Sequence, residues 1–385
     1  MKSFGGVLAG YQGLAPGFDF LRLALACTIV FYHVLTAGGY DAAAHGPFLW
    51  FFEYSLVPMF FALSGFLITA SAQRLDLANF LLNRSLRIVP ALAVDIFICA
   101  LIIGPAVTTL PLGEYFTDAG FLAYFMNIVG LVHLDLPGVF TGNPNQQVNG
   151  ALWTIPWEIS CYVVMAFMII TGVVRKPPVT LLLLGAFFIA GLSIEHFMPV
   201  GQGESSGLHT IFVTRGSQLI TAFLCGIVAY QLRSRIPMSR ALFYICVVIA
   251  IDGMLLLDTR ATHSVANRLI LIPVLTYITI YAGLSRLPLP KIFGRGDYSY
   301  GVYLYHMPFI QLSIFLAPSF FVGTIPGVVM LTAVTTGVVL CVAAVSWHVV
   351  EKPVLSLRRF ALTGRATGEG RAVMAPAAAV EGVGR

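Results

Sequence analysis

Two ionisable residues, Arg22 and His33, lie eleven positions apart in the first long apolar stretch of the chain, FDFLRLALACTIVFYHVL. Eleven residues make about three turns of an α-helix, so the two side chains share a face at a separation of about 16 Å along the axis. Asp19 precedes Arg22 by three residues and can pair with it. This spacing predicts a polar stripe along a membrane helix. The competing interpretation is that Asp19 and Arg22 anchor the helix at the interface while His33 supports a helix contact.

A second pair of cations, Arg84 and Arg87, lies within RLDLANFLLNRSLRIVP at 74–90. Apolar and basic residues mix there as they do in an amphipathic helix at the inner membrane surface. Two guanidinium groups three residues apart can hold phosphates of lipids or of a nucleotide-bearing ligand. Charge alone favours the lipid.

Glu158 lies within a further apolar segment, ALWTIPWEISCY, five residues after Trp153. A carboxylate at membrane depth needs a hydrogen-bond donor, and Tyr162 and Arg215 are the candidates. A purely structural salt bridge is the alternative role for this acid.

The segment PMFFALSGFLI contains Ser64 followed by Gly65. Small residues let helices approach closely in membranes, so packing is the favoured interpretation, with Ser64 as a candidate residue lining a substrate path. The segment lacks the strand and turn that surround a hydrolase nucleophile.

The segment YSYGVYLYHMP concentrates tyrosines ahead of a histidine. Its tyrosines are typical of an interfacial aromatic belt, and Tyr305 and His306 are further candidates to line a substrate path. Near the end of the last apolar segment, WHVVEKP places Glu351 and Lys352 where helix-end anchors are expected.

Of the 385 residues, 58% are hydrophobic and only 10% are charged. A soluble domain of this size needs a larger charged surface, so the chain is an integral membrane protein. The six cysteines occur singly in apolar segments, which indicates buried small side chains rather than disulfides or a metal site. No small-residue cleavage site follows the first apolar run, so we expect that helix to be retained.

Apolar runs long enough to cross a bilayer number ten and predict an all-α bundle of about ten transmembrane helices. The segments are 17–38, 48–72, 88–110, 150–173, 178–198, 208–231, 241–258, 268–285, 297–318 and 325–350. With both termini in the cytoplasm, most of the 22 Lys and Arg residues fall in cytoplasmic loops, and only Arg260 and Arg268 fall outside.

The long loop at 111–149 contains an apolar stretch, 115–133, that Asp118, Gly120 and Asn127 interrupt. Counting it as an eleventh span would place most of the later basic residues on the outer side of the membrane, against the usual cytoplasmic excess of Lys and Arg. We therefore predict an interfacial or re-entrant segment. The small-residue tail at 360–385 is predicted to be a disordered cytoplasmic segment.

Taken together, six motifs in order resemble the acyltransferase 3 family of integral membrane acyltransferases. They are FDFLRLALACTIVFYH, FFALSGFLI, NRSLRIVP, LWTIPWEISCY, YSYGVYLYH and WHVVEKP. The resemblance covers nearly the whole chain and makes 1–359 one transmembrane domain.

The resemblance implies a ten-helix enzyme that takes an acyl group, often acetyl, from cytoplasmic acyl-coenzyme A and delivers it to a carbohydrate hydroxyl beyond the outer leaflet. It assigns Arg22 and His33 to the essential pair, Arg84 and Arg87 to the inner basic motif, and Glu158 to the acid of the fourth segment. The family commonly has Asp-Gly-Leu-Arg where this chain has Asp19-Phe20-Leu21-Arg22.

On this basis we expect Arg84 and Arg87 to hold the donor phosphates and Arg22, oriented by Asp19, to steer the donor arm. His33 would be the general base or a transient acyl carrier, and Glu158 would orient an imidazole or bind sugar hydroxyls. No metal, permanently bound cofactor or nucleic acid is expected, and the partners are membrane lipid, acyl-coenzyme A and the carbohydrate. The rival function is a transporter or flippase for an envelope glycan or lipid.

Overall fold

The computed structural model describes residues 2–11, 15, 17–40, 50–198, 207–256, 265–287 and 296–363. Within these ranges the secondary structure is helical and contains no β-strand. In lipid, backbone N–H and C=O groups find no water, and a helix satisfies them within one segment. The all-α prediction is therefore confirmed for the described residues.

The first half of the chain folds into long helices and a broken loop. Its α-helices are α1 (Phe4–Gly10), α2 (Gly17–Ala37), α3 (Trp50–Ala72), α4 (Leu77–Ile98), α5 (Gly104–Val107), α6 (Leu112–Thr117), α7 (Ala119–Tyr124) and α8 (Ile155–Ile170). Short 3₁₀ helices cover Phe125–Val129 and Gly150–Thr154, and a π-helical turn covers Cys99–Ile103.

The second half continues with a 3₁₀ turn, Val173–Arg175, and then mostly long helices. They are α9 (Pro177–Phe197), α10 (Gly207–Phe212), α11 (Arg215–Gln231), α12 (Arg240–Leu256), α13 (Val265–Leu284), α14 (Ser299–Leu316), α15 (Pro318–Phe321), α16 (Ile325–Ser346) and α17 (Lys352–Thr363). A π-helical turn, Trp347–Glu351, joins the last two.

Each of the ten predicted segments overlaps a long helix, and among the described residues six helices are long and apolar enough to cross a membrane. They are Gly17–Ala37, Tyr54–Ala72, Leu77–Val107, Gly150–Ile170, Pro177–Phe197 and Ile325–Leu357. The protein is thus a multi-pass membrane protein, whereas ten crossings and cytoplasmic termini stay predictions. Large apolar side chains such as Leu182, Phe197 and Ile325 are more than two-thirds exposed, as lipid-facing residues are.

The inner amphipathic segment and the third predicted span form one helix rather than two elements. Asp76 caps α4 by accepting a hydrogen bond from the Asn79 backbone at 2.8 Å, and the helix continues through the π-turn to Val107. The boundary predicted at residue 88 is wrong, because nothing between Leu77 and Val107 ends the helix.

The loop at 111–149 contains short pieces rather than a span. Asp118 ends α6 and caps α7, where its carboxylate accepts from the Gly120 backbone at 2.6 Å. The Tyr115 hydroxyl donates to the Ala100 carbonyl in the π-turn at 2.8 Å, and burial raises the pKa of Tyr115 to about 12. This neutral donor ties the loop to the π-turn that follows α4.

Helices α3 and α11 cross at two glycines. A Cβ on Gly65 would collide with the Phe223 backbone, and one on Gly226 would collide with the Ala62 backbone. The predicted packing role of the Ser64 and Gly65 pair is therefore confirmed for Gly65.

Two further sequence expectations concern the cysteines and the C-terminal tail. Four cysteines are buried as expected, whereas Cys341 is exposed and Cys27 is half-buried, so the expectation fails for those two. Helix α17 continues to Thr363, and the predicted disorder beyond it falls on residues 364–385, outside the described residues.

Candidate active site

A cavity of about 640 Å³ runs beside α3, with walls from α2, α4, α8, α11 and α14. Its lining residues on α3 and just after it extend from Val57 to Arg74, which corresponds to about 25 Å of helix. Arg74 and Arg84 line one end, here called the arginine end. Thr154 and Tyr303 line the other, the tyrosine end, where the Tyr303 ring approaches Phe60 with centroids 6.3 Å apart.

Asp297, just before α14, joins two of the predicted arginines. Its Oδ2 lies 2.7 Å from Nη2 of Arg87 and 3.3 Å from Nη1 of Arg22. Asp19 also reaches Arg22, but at 3.8 Å and with half of its side chain exposed. The predicted pairing of Asp19 with Arg22 is present, and Asp297 is the closer and less exposed partner.

Arg87 is further held by Glu351, whose Oε2 lies 2.9 Å from Nη1. The rings of Tyr300 and Trp347 approach the same guanidinium, with their centroids 5.5 and 5.6 Å from Cζ. Glu351 is only 1% exposed, so its prediction as a helix-end anchor is wrong. The π-helical turn Trp347–Glu351 brings this acid inside the bundle.

Arg84 lines the same cavity, but its hydrogen bonding differs from that of Arg87. Its Nε is buried and has no hydrogen-bond partner within the described ranges. A buried donor without a partner is costly and favours a ligand that accepts a hydrogen bond. Arg84 is thus better placed than Arg87 to hold an anion.

Glu158 lines the cavity wall that α8 forms. Its Oε1 accepts a hydrogen bond from the Tyr162 hydroxyl at 2.6 Å, so Tyr162, one of the two predicted donors, is its partner. The other predicted donor was Arg215, whose side chain lies outside the described part of the structure.

His33 on α2 meets His306 on α14, with 2.5 Å between Nδ1 of His33 and Nε2 of His306. The rings are within 13° of parallel. His306 is fully buried, and its Nδ1 lies 2.6 Å from the Tyr303 carbonyl oxygen. A carboxylate from Glu158 was expected to orient an imidazole, yet here a second imidazole contacts His33.

Local helix structure explains why His306 is held there. Pro308 has no N–H to bond the Leu304 carbonyl one turn earlier. Nδ2 of Asn149 donates to that carbonyl at 2.9 Å and to the buried Asp95 at 2.8 Å. Asn149 therefore satisfies the carbonyl group that Pro308 cannot bond, and this contact fixes the helical turn that carries His306.

The histidine pair lies beyond the tyrosine end of the cavity. Tyr303 is the last lining residue on α14, and His306 follows it by about one turn. Among the residues described, the cavity walls include Arg22 but neither His33 nor His306. The polar stripe of α2 is thus present, but the cavity itself stops one turn short of the imidazoles.

Of the other residues predicted to line a substrate path, some line the cavity and some pack elsewhere. Ser64 and Tyr162 line the cavity. Trp153 packs against the core instead, and the Tyr305 hydroxyl is bonded to Ser346 at 2.9 Å inside the bundle. Tyr298 and Tyr305 are under 10% exposed, so the aromatic-belt interpretation is wrong for them.

Asp297 is the main site residue that the sequence analysis missed. Its signal was a charged residue at the head of an apolar segment, directly before the tyrosine-rich motif. Within the described residues no group of three or more His, Cys, Asp or Glu side chains forms a metal site.

Comparison with known proteins decides the family. A family model described as an acyltransferase domain matches residues 16–347. The chain belongs to the acyltransferase 3 family. The match includes α2, the histidine pair and every residue that lines the cavity except Leu8.

Two similar proteins cover almost the full length. Nodulation protein 10 of Rhizobium leguminosarum bv. viciae is 27% identical over 369 residues, which are 90% of this chain and 95% of that protein. An O-acetyl transferase of Shigella phage Sf6 is 27% identical over 351 residues, 88% of this chain and 96% of that protein. No solved structure matches the chain. The protein is therefore a membrane O-acyltransferase of the O-acetyltransferase type.

Proposed function

We propose that this enzyme transfers an acetyl group from cytoplasmic acetyl-coenzyme A to a hydroxyl of an envelope or secreted carbohydrate, in the inner membrane. The observation that carries the proposal is the cavity, with guanidinium groups at one end and an imidazole pair one turn beyond the other. A long donor with phosphates at one end and a thioester at the other matches this order of groups. The volume lies within the range of small-molecule sites.

Charge balance supports a position of the donor phosphates at Arg84. Arg22 and Arg87 are neutralised by Asp297, Glu351 and Asp19. Arg84 retains a buried Nε without a partner among the described residues, and Arg74 lines the cavity nearby. Phosphate oxygens accept charge-assisted hydrogen bonds from such groups.

The donor arm then extends along α3 past apolar walls that include Phe61, Leu67 and Phe223. Arg22, held by Asp297, lines this path. The thioester reaches the tyrosine end beside Thr154 and Tyr303, close to the histidine pair.

In the chemical step the acceptor hydroxyl oxygen attacks the thioester carbonyl carbon. His33 takes the hydroxyl proton, the new C–O bond forms and the C–S bond breaks. The proton that His33 holds then passes to the thiolate, so coenzyme A leaves as the thiol. Glu158, with Tyr162, lines the wall and can hold polar groups of donor or acceptor.

The test uses membrane vesicles from a host strain in which this chain's gene is deleted, because they retain the native acceptor. Purified protein is reinserted and radiolabelled acetyl-coenzyme A is added on the arginine side. We expect covalent label in the polysaccharide fraction. Movement of glycan or lipid without label would overturn the proposal in favour of a transporter.

A further inference from the structure

We infer that His306 is a positioning residue that fixes His33 in the tautomer with its lone pair on Nε2. The inference rests on the proposed function, in which His33 takes the hydroxyl proton. It derives from one chain of contacts, from the Tyr303 carbonyl through His306 to His33.

The first link in the chain is fixed by the Tyr303 carbonyl, because an oxygen of this kind can only accept a hydrogen bond. Nδ1 of His306, 2.6 Å away, must therefore carry the proton. In the neutral imidazole the other nitrogen, Nε2, then carries the lone pair.

The second link follows directly from the first. Nε2 of His306 is an acceptor, so Nδ1 of His33 must donate across the 2.5 Å contact. In neutral His33 the lone pair is left on Nε2. That is the nitrogen to which the acceptor hydroxyl gives its proton.

The geometry supports a rigid acceptor at His306. The side chain is fully buried, and the nearly parallel rings suit an in-plane hydrogen bond between the imidazoles. Asn149 stabilises the same helical turn at the Leu304 carbonyl. When His33 gains the proton, its imidazolium keeps the Nδ1–H bond to the neutral His306, which stabilises the charge.

The test compares His306→Gln with His306→Met, which have similar size and flexibility. Glutamine offers an oxygen acceptor at the ε position, whereas the thioether of methionine is a weak acceptor. Initial rates are measured in the vesicle assay at varied acetyl-coenzyme A. We expect the methionine variant to lose about 100-fold in kcat with an unchanged KM for acetyl-coenzyme A, and the glutamine variant to regain at least about tenfold of it.

His306→Asn is the second comparison and guards against misfolding. Its amide keeps a donor for the Tyr303 carbonyl but ends one carbon too early to reach His33. We expect it to be as slow as the methionine variant. Asparagine and glutamine variants of equal rate, or a methionine variant with wild-type kcat, would overturn the inference.

A double variant separates positioning from structure. In a His33→Ala background, His306→Met should cause no further loss, because residues that act as a unit are not additive. A further loss of similar size would overturn the inference. Failure of the proposed function is distinguishable, since wild-type protein would then leave the polysaccharide unlabelled in the same assay.

Discussion

Arg87 and Glu351 lie 264 positions apart in the chain and form an ion pair with 2.9 Å between Nη1 and Oε2. With Asp297 on the other side, Arg87 joins α4 to the ends of α14 and α16. Arg84, three residues earlier, forms no ion pair within 4 Å among the described residues. Two arginines of one motif thus have different roles.

Substitution separates those roles. Arg84→Ala should raise the KM for acetyl-coenzyme A about 10- to 150-fold with little change in stability, because a charge-assisted phosphate contact contributes about 1.5 to 3 kcal/mol. Arg87→Ala should lower stability by about 3 kcal/mol, because it leaves the buried Glu351 unpaired. Vesicle kinetics and thermal stability in detergent measure the two effects. Equal effects of both variants on KM would contradict the assignment.

Asp297→Asn and Asp19→Asn form a matched pair, since each removes one charge beside Arg22. Asp19 is half exposed and 3.8 Å away, so its loss should cost about 0.5 kcal/mol or less. Asp297 bridges Arg22 and Arg87 at shorter distances, so its loss should cost about 2 kcal/mol and lower kcat/KM. Thermal unfolding and kinetics of both variants check this. A larger loss for Asp19→Asn would assign the orienting role to Asp19 instead.

His33→Ala should lower acetylation by at least about 100-fold while expression and insertion are kept, because it removes the proposed base. Thr28→Val is the control on the same helix. The Thr28 hydroxyl donates to the Ala24 carbonyl of its own helix at 2.8 Å, and this variant should keep near wild-type rates. Label incorporation and detergent size-exclusion profiles are the measurements. Near wild-type acetylation by His33→Ala would remove His33 from the mechanism, and an acetylated His33 peptide after a single turnover would make it an acyl carrier.

Gly65→Ala tests the helix crossing that forms one cavity wall. The added methyl group meets the Phe223 backbone, so stability should fall by about 1 to 3 kcal/mol. Gly185→Ala is the control, because that position on α9 is open and alanine favours a helix. Thermal stability in detergent compares them. Equal stability of the two variants would show that the crossing tolerates a wider spacing.

Much of the site was predictable where it depends on local spacing. The pairing of Asp19 with Arg22 and of Glu158 with Tyr162 follows from separations of three and four residues on one helix. The contact at Gly65 was predictable because small residues let helices approach closely in membranes.

Contacts between distant segments were not predictable from spacing. Asp297 reaches Arg87 and Arg22 from 210 and 275 positions away, and His306 reaches His33 from 273. Glu351 was predicted to lie at the membrane boundary because a charged side chain favours contact with water. The π-turn instead brings it inside the bundle, where it pairs with the buried guanidinium of Arg87. Such pairings depend on how whole helices rotate about their axes, which hydropathy does not encode.

The helix from Leu77 to Val107 spans 31 residues, about 46 Å, which exceeds the roughly 30 Å of hydrocarbon in a bilayer. Near one end it carries Arg84, and near the other the Tyr115 hydroxyl fastens the long loop to its Ala100 carbonyl. The helix is continuous from Arg84 to Ala100, so the arginine end of the cavity and the attachment point of the loop belong to one structural element.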